Sequence, residues 1–117
     1  MTADRARELL RDAIKAAEQA QHFLVGRSLH EYLADALVRS AVERQLEIVG
    51  EALAVLRRMA PGIAASIDEL PKAVALRNIL IHGYSVVDDD LIWDVATYKL
   101  PPLLAQLRQA FTSLGLA

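Results

Sequence analysis

The chain has no cysteine, which excludes disulfide staples and thiolate metal sites. Aromatic residues are scarce, 5% against 54% hydrophobic residues, so a core must come from leucine, isoleucine, valine and many alanines. Small side chains at helical spacing suit closely packed helices. No apolar run approaches the ~18 residues a membrane span needs. The segment Met1-Thr2-Ala3-Asp4-Arg5 opens straight into a charged amphipathic pattern without a signal-peptide core, so a soluble cytoplasmic protein is expected. Excess positive charge is also missing: 13 Lys and Arg stand against 15 Asp and Glu, a formal charge of −2. That argues against a protein coating long duplexes, but not against one small basic cleft, because steering follows the local potential. There is no repeat, low-complexity tract or linker, and a single domain over residues 1–117 is predicted, large enough to bury its own core. A glycine-rich phosphate loop and a nucleophile elbow are both absent.

What is present is helical periodicity. From about Asp4 to Leu24, Leu9, Leu10, Ala13, Ala16, Ala17, Ala20, Phe23 and Leu24 share one side of a helical wheel, and Gly26 reads as a stop. A second, longer helix is predicted from about Ser28 to Met59, closing at Pro61-Gly62. Its polar strip is Arg39, Glu43, Glu47, Gly50 and Arg57, and the wide apolar remainder suggests burial on two sides. Gln45 falls near the middle of that apolar arc, with Arg44 and Glu51 at one margin. Ile63 to Ile67 has room for a short helical turn. Pro71 then suits the first turn of a third helix, which runs to about His82 and stops at Gly83. A polar loop, Tyr84 to Asp90, leads into a last helical stretch that Pro101-Pro102 must kink or divide. The expected fold is all-α, an up-and-down four-helix bundle with an optional fifth short helix.

The unusual chemistry lies at Leu76-Arg77-Asn78-Ile79-Leu80-Ile81-His82-Gly83-Tyr84. Arg77 falls in an apolar arc with Leu70, Ala73, Leu80 and Ile81, where an unpaired charge is costly. Glu51 is the acid expected to pair with it. In metal-free RNA cleavage the ribose 2′-hydroxyl attacks the adjacent phosphate. A base must take its proton, and charge on the phosphoryl oxygens must be offset. Histidine suits the first task near neutral pH and the guanidinium fork the second. Asn78, one turn below His82, can orient the imidazole or donate to phosphate.

Five residues along an ideal helix separate Arg77 and His82 by ~140° and ~7.5 Å of rise. They do not converge within one straight helix. Convergence requires the helix to end before His82, or two copies to share their faces, and a two-fold dimer with a composite site at its seam is expected. The same residues also fit a purely structural role, a buried Arg77–Glu51 pair with His82 at the helix terminus. His22 and His30 have no ligand-spaced partners and read as surface residues. Asp88-Asp89-Asp90 reads as a helix start rather than a magnesium site, and Trp93 as packing. No metal site and no cofactor are predicted.

Arg77-Asn78-x-x-x-His82-Gly83-Tyr84 resembles the RNxxxHxY signature of the HepT-like proteins in the HEPN superfamily. Glu43-Arg44 with Leu46-Glu47-Ile48-Val49-Gly50-Glu51-Ala52 is similar to that family's second-helix motif. Trp93 with Leu100-Pro101 resembles its C-terminal pattern. Lys72, Ala75 and Lys99 depart from the family pattern around these segments. The resemblance implies the toxin of a two-gene toxin–antitoxin module, a four-helix-bundle dimer that cleaves RNA without metal. It implies catalytic roles for Arg77 and His82 and a supporting one for Asn78. It also implies a small nucleotidyltransferase antitoxin of the MNT type that transfers AMP to Tyr84. Two other readings use the same residues: a non-catalytic substrate-binding subunit of a nucleotidyltransferase, and a plain helical dimerisation module.

Overall fold

In the computed structural model, residues 2–83 and 87–115 are described, and they form a helical bundle without strands among them. Helix α1 is Thr2–Leu24, α2 Leu29–Ala34, α3 Ala36–Met59, α4 Pro61–Ala64, α5 Leu70–His82, α6 Asp89–Asp94 and α7 Leu100–Gly115. The long helices α1, α3, α5 and α7 make the bundle. Helix α3 packs on α1 and on α5, and α1 packs on α7.

Helix α1 buries the alanine-rich side its periodicity predicts, from Ala6 through Leu10, Ala13 and Ala17 to Ala20 and Leu24, while Phe23 is half-buried. Gly26 ends it with φ 76°, a left-handed conformation that other residues adopt at a cost. Arg7 of α1 reaches across to α7. Its Nη2 donates to the Leu114 carbonyl at 2.8 Å, meeting a carbonyl in the last turn of α7.

The predicted second helix is two helices. The break is Asp35, whose extended backbone (φ −119°, ψ 95°) leaves its carboxylate to accept from the Leu37 and Val38 amides at 3.1 and 3.2 Å. Capping satisfies amides that a continuous helix would have bonded internally. Upstream, Ser28 and Glu31 form a reciprocal capping box that starts α2. Pro61 does not merely close α3. It opens the short α4, so the expected turn at Ile63–Ile67 begins earlier.

The two-sided burial of α3 has its explanation inside the chain. Val42, Leu46, Val49 and Leu53 are buried in the core between neighbouring helices, and Gly50, assigned above to the polar strip, is buried as well. The wide arc serves α1 and α5, so it no longer argues for a second copy. Helix α5 begins with Pro71 in its first turn and ends at Gly83, whose backbone is αR rather than left-handed. A side chain at Gly83 would meet the Ile79 carbonyl at 2.3 Å.

Asp88 caps α6 by accepting from the Asp90 and Leu91 amides at 3.1 and 3.2 Å. Asp89 lies 3.6 Å from Arg39, tying α6 to α3. Between them Tyr32 is fully buried against Trp93, ring centroids 5.5 Å apart, and burial pushes its phenol up. Partial burial, reinforced by Asp89, also raises the Glu43 carboxyl. The interruption expected at Pro101-Pro102 falls just before them, as a π-helical turn at Val95–Lys99 with the Leu100 amide bonded to the Val95 carbonyl. A widened turn moves carbonyls off the path of the proline rings, and both prolines then lie in the first turn of α7.

Candidate active site

The site begins with a missing side chain. At Gly50 a Cβ would lie 2.2 Å from Arg77 Cβ, 2.8 Å from the Ala73 carbonyl oxygen and 2.9 Å from Arg77 Cγ. Only glycine lets α5 lie this close to α3, and the contact falls at Arg77 itself. The next residue on α3 is Glu51, so the backbone that admits Arg77 also presents the carboxylate that holds it.

Arg77 Nε and Nη2 both donate to Glu51 Oε2, at 2.9 and 2.5 Å, and Nη1 donates to Asn78 Oδ1 at 2.9 Å. A guanidinium carries five N–H groups. Three are used here, so two stay available on the Nη atoms for an incoming oxyanion. The pair is not a neutralised charge deep in a core: the Arg77 side chain is 25% exposed and that of Glu51 57%. A pair this open contributes about 0–1 kcal/mol to stability. Stability alone therefore gives little reason for it, whereas orientation of the guanidinium does.

His82 is the last residue of α5 and is exposed, as is Asn78 one turn earlier. The structure thus brings Arg77, Asn78 and Glu51 into one hydrogen-bonded group. It leaves His82 beyond them, on the same helix. The helix does not end before His82, which removes the expected route to convergence within one chain. Ile79 and Ile81 beside these polar groups are 46% and 39% exposed. Tyr84 lies outside the described residues. His22 and His30 are exposed. Among the described residues, no group of three or more His, Asp or Glu side chains could hold a metal ion.

Glu51 also forms part of the wall of a groove of about 920 Å³ between α1 and α3, closed at one side by Ile81. Ile48 and Val55 contribute apolar surface there, and Gln45 finds its place in this wall rather than in the core. Arg5, Lys15 and Arg44 are matched by Asp12, Glu47 and Glu51, so the groove has no net sign. Arg77 lies outside the groove's lining, with its guanidinium held by Glu51. The residue sequence reasoning missed is Gly50; the signal available was a glycine inside a long helix directly before the acid expected to pair with Arg77.

The chain has relatives whose names place them among ribonucleases. A protein of Methanocaldococcus jannaschii named "Putative RNase MJ1380" is 30% identical over 96 residues, covering 80% of this chain and 85% of its own. A second from that organism, "Putative RNase MJ0127", is 28% identical over 105 residues, covering 88% and 84%. No solved structure matches the chain. The family model described as "Ribonuclease HepT-like" matches residues 13–110, nearly the whole bundle and all of the Arg77–His82 segment, and the chain belongs to this HepT-like ribonuclease family of the HEPN superfamily.

Proposed function

We propose that this protein is the toxin of a toxin–antitoxin module, an endoribonuclease that cleaves RNA without metal at a composite site on a two-fold dimer seam. The observation that carries the reading is the Arg77 guanidinium, fixed by Glu51 and Asn78 with two N–H groups to spare, on the helix that ends in an exposed His82. Those N–H groups suit two phosphoryl oxygens, which gain charge as the ribose 2′-oxygen bonds to phosphorus. The His82 imidazole takes the 2′-hydroxyl proton and returns it to the 5′-oxygen as the P–O5′ bond breaks. The products are a 2′,3′-cyclic phosphate and a 5′-hydroxyl. Because ~140° of helix separates the two groups, the imidazole serving a given Arg77 comes from a second copy. Exposed Ile79 and Ile81 supply apolar surface suited to that seam.

Regulation in this reading comes from a small nucleotidyltransferase of the MNT type. It transfers AMP to Tyr84, two residues beyond His82, and each AMP sets bulk and negative charge at the mouth of a site built for phosphate.

The test is cleavage of RNA by the purified protein in excess EDTA. Arg77→Ala is expected to lower the rate about 10²–10³-fold and His82→Ala about 10²–10⁴-fold. Cleavage that survives both changes, or disappears in EDTA, overturns the assignment. Co-expressed with an AMP-transferring partner, the protein should gain mass in whole AMP units, and Tyr84→Phe should prevent it. An unchanged adduct places the modification elsewhere. Stable co-purification with such a partner, without RNA cleavage at high protein concentration, would instead support a non-catalytic substrate-binding subunit.

A further inference from the structure

A second cavity lies away from Arg77, where α5 faces the π-helical turn and the start of α7. Its volume is about 340 Å³, and Leu46, Val49, Leu76, Val95, Leu100 and Leu103 supply most of its wall. The fold explains why it is there. The small Ala73 and Leu76 of α5 face it from one side and Leu46 and Val49 of α3 from another, so an alanine where a larger residue would reach leaves the space open. The π-helical turn carries Val95 and Lys99 along the opposite wall. Gln106 of α7 accepts a hydrogen bond from the Glu69 amide at 3.1 Å and pins the start of α5 to α7.

The charged side chains on this cavity are Glu69, Lys72 and Lys99, and both lysines are exposed. Lys72 sits 3.6 Å from Glu69, so that charge has a partner. Lys99 has no acid within ion-pair distance among the described residues. The rim therefore carries one net positive charge beside an aliphatic interior. Water gains few hydrogen bonds from such a wall. The volume is at the low end of small-molecule sites, about 300–1,000 Å³, and too small for the side of a partner helix, ~10–12 Å across.

We propose that this cavity binds an amphipathic carboxylate, with an unbranched aliphatic tail of roughly eight to ten carbons inside, each taken as about the size of one liquid water, ~30 Å³, and the carboxylate on Lys99. The site shares no residue with the Arg77 group, so it is independent of the ribonuclease reading and can be measured without RNA.

The experiment is calorimetric titration of the full chain with decanoate, kept below its micelle concentration, alongside decylammonium of equal chain length and acetate. One decanoate should bind per chain, decylammonium should bind at least about tenfold more weakly, and acetate should not bind detectably. Lys99→Glu, which reverses the one unpaired charge at the rim and leaves the aliphatic part of the lining unchanged, should weaken decanoate about tenfold without changing helicity or melting temperature. Val95→Trp, which fills the cavity, should abolish binding. The proposal is overturned by any of three results: no saturable decanoate binding, decylammonium binding as tightly, or unchanged affinity in Lys99→Glu. A dimer contact that covers the mouth and excludes decanoate would produce the first of these.

Discussion

At Arg77 the decisive quantity is how the guanidinium is held rather than how deeply it is buried. Two of its N–H groups converge on one oxygen of Glu51, and that carboxylate is itself more than half exposed. Replacing Glu51 with glutamine keeps an acceptor of the same shape and removes the charge that fixes the fork. Stability should change by less than about 1 kcal/mol, since exposed pairs contribute little. The turnover number for RNA should fall about 10- to 100-fold through misplacement of the guanidinium, with a smaller change in KM. Thermal melts and steady-state cleavage of one oligoribonucleotide check both halves. A large drop in melting temperature with unchanged turnover would make Glu51 a structural partner only. The choice of Glu51 could be reasoned from the wheel because few acids border the apolar arc of α3. The use of Asn78 as an acceptor for Arg77 Nη1 could not. A wheel places Cβ directions, and the contact between these sequence neighbours is set by side-chain rotamers.

Among the elements, the seam between α3 and α5 depends on Gly50 more than on any large side chain. Gly50→Ala puts a methyl group 2.2 Å from Arg77 Cβ and 2.8 Å from the Ala73 carbonyl, and backbone cannot give way cheaply. The expected cost is about 1–3 kcal/mol, as for other overpacked interiors, with loss of RNA cleavage as α5 is pushed off α3. Gly62→Ala is the matched control. Nothing lies within 4 Å of a Cβ there, and the residue is exposed in α4. Alanine at Gly62 should be neutral or stabilising by about 0.5–1 kcal/mol. Equal melting temperatures for the two variants would show that the close approach is unimportant. This seam was only partly legible beforehand. The ends of α5 could be read because Pro71 and Gly83 are strong local signals. Gly50 was assigned to a polar strip, since a wheel ranks glycine by polarity and cannot show that another backbone approaches it. The break at Asp35 was hidden for a similar reason. Leu29, Leu33 and Leu37 keep helical spacing straight across it, all three exposed, so periodicity continues where the backbone does not. At the other end, Pro101-Pro102 announced an interruption. Its form, a widened turn upstream, depends on packing against the rest of the bundle.

For the whole molecule, the proposed chemistry depends on where His82 stands relative to Arg77. Helix α5 runs without interruption through Arg77 to its end at His82, so ~140° of azimuth separates the two side chains. One chain presents both groups to solvent, and on the proposed reading they meet at one phosphate only across two chains. The burial of α3 between α1 and α5 shows that its apolar arc is no evidence for pairing. In the proposed dimer the seam draws on α5 and the adjoining groove, where Ile79 and Ile81 stand exposed beside the polar group. A composite site makes a sharp prediction for mixed dimers. If one subunit carries Arg77→Ala and the other His82→Ala, one of the two sites has lost both groups, while the other retains an intact arginine and an intact histidine. Mixed dimers isolated with two different affinity tags should regain about half of wild-type activity per dimer, although each parent homodimer is inactive. If each site lies within a single chain, every site in the mixed dimer lacks one group, and the mixture stays as inactive as its parents. Sedimentation of the same samples supplies the companion measurement: a monomer that cleaves RNA at full rate would remove the seam from the mechanism altogether.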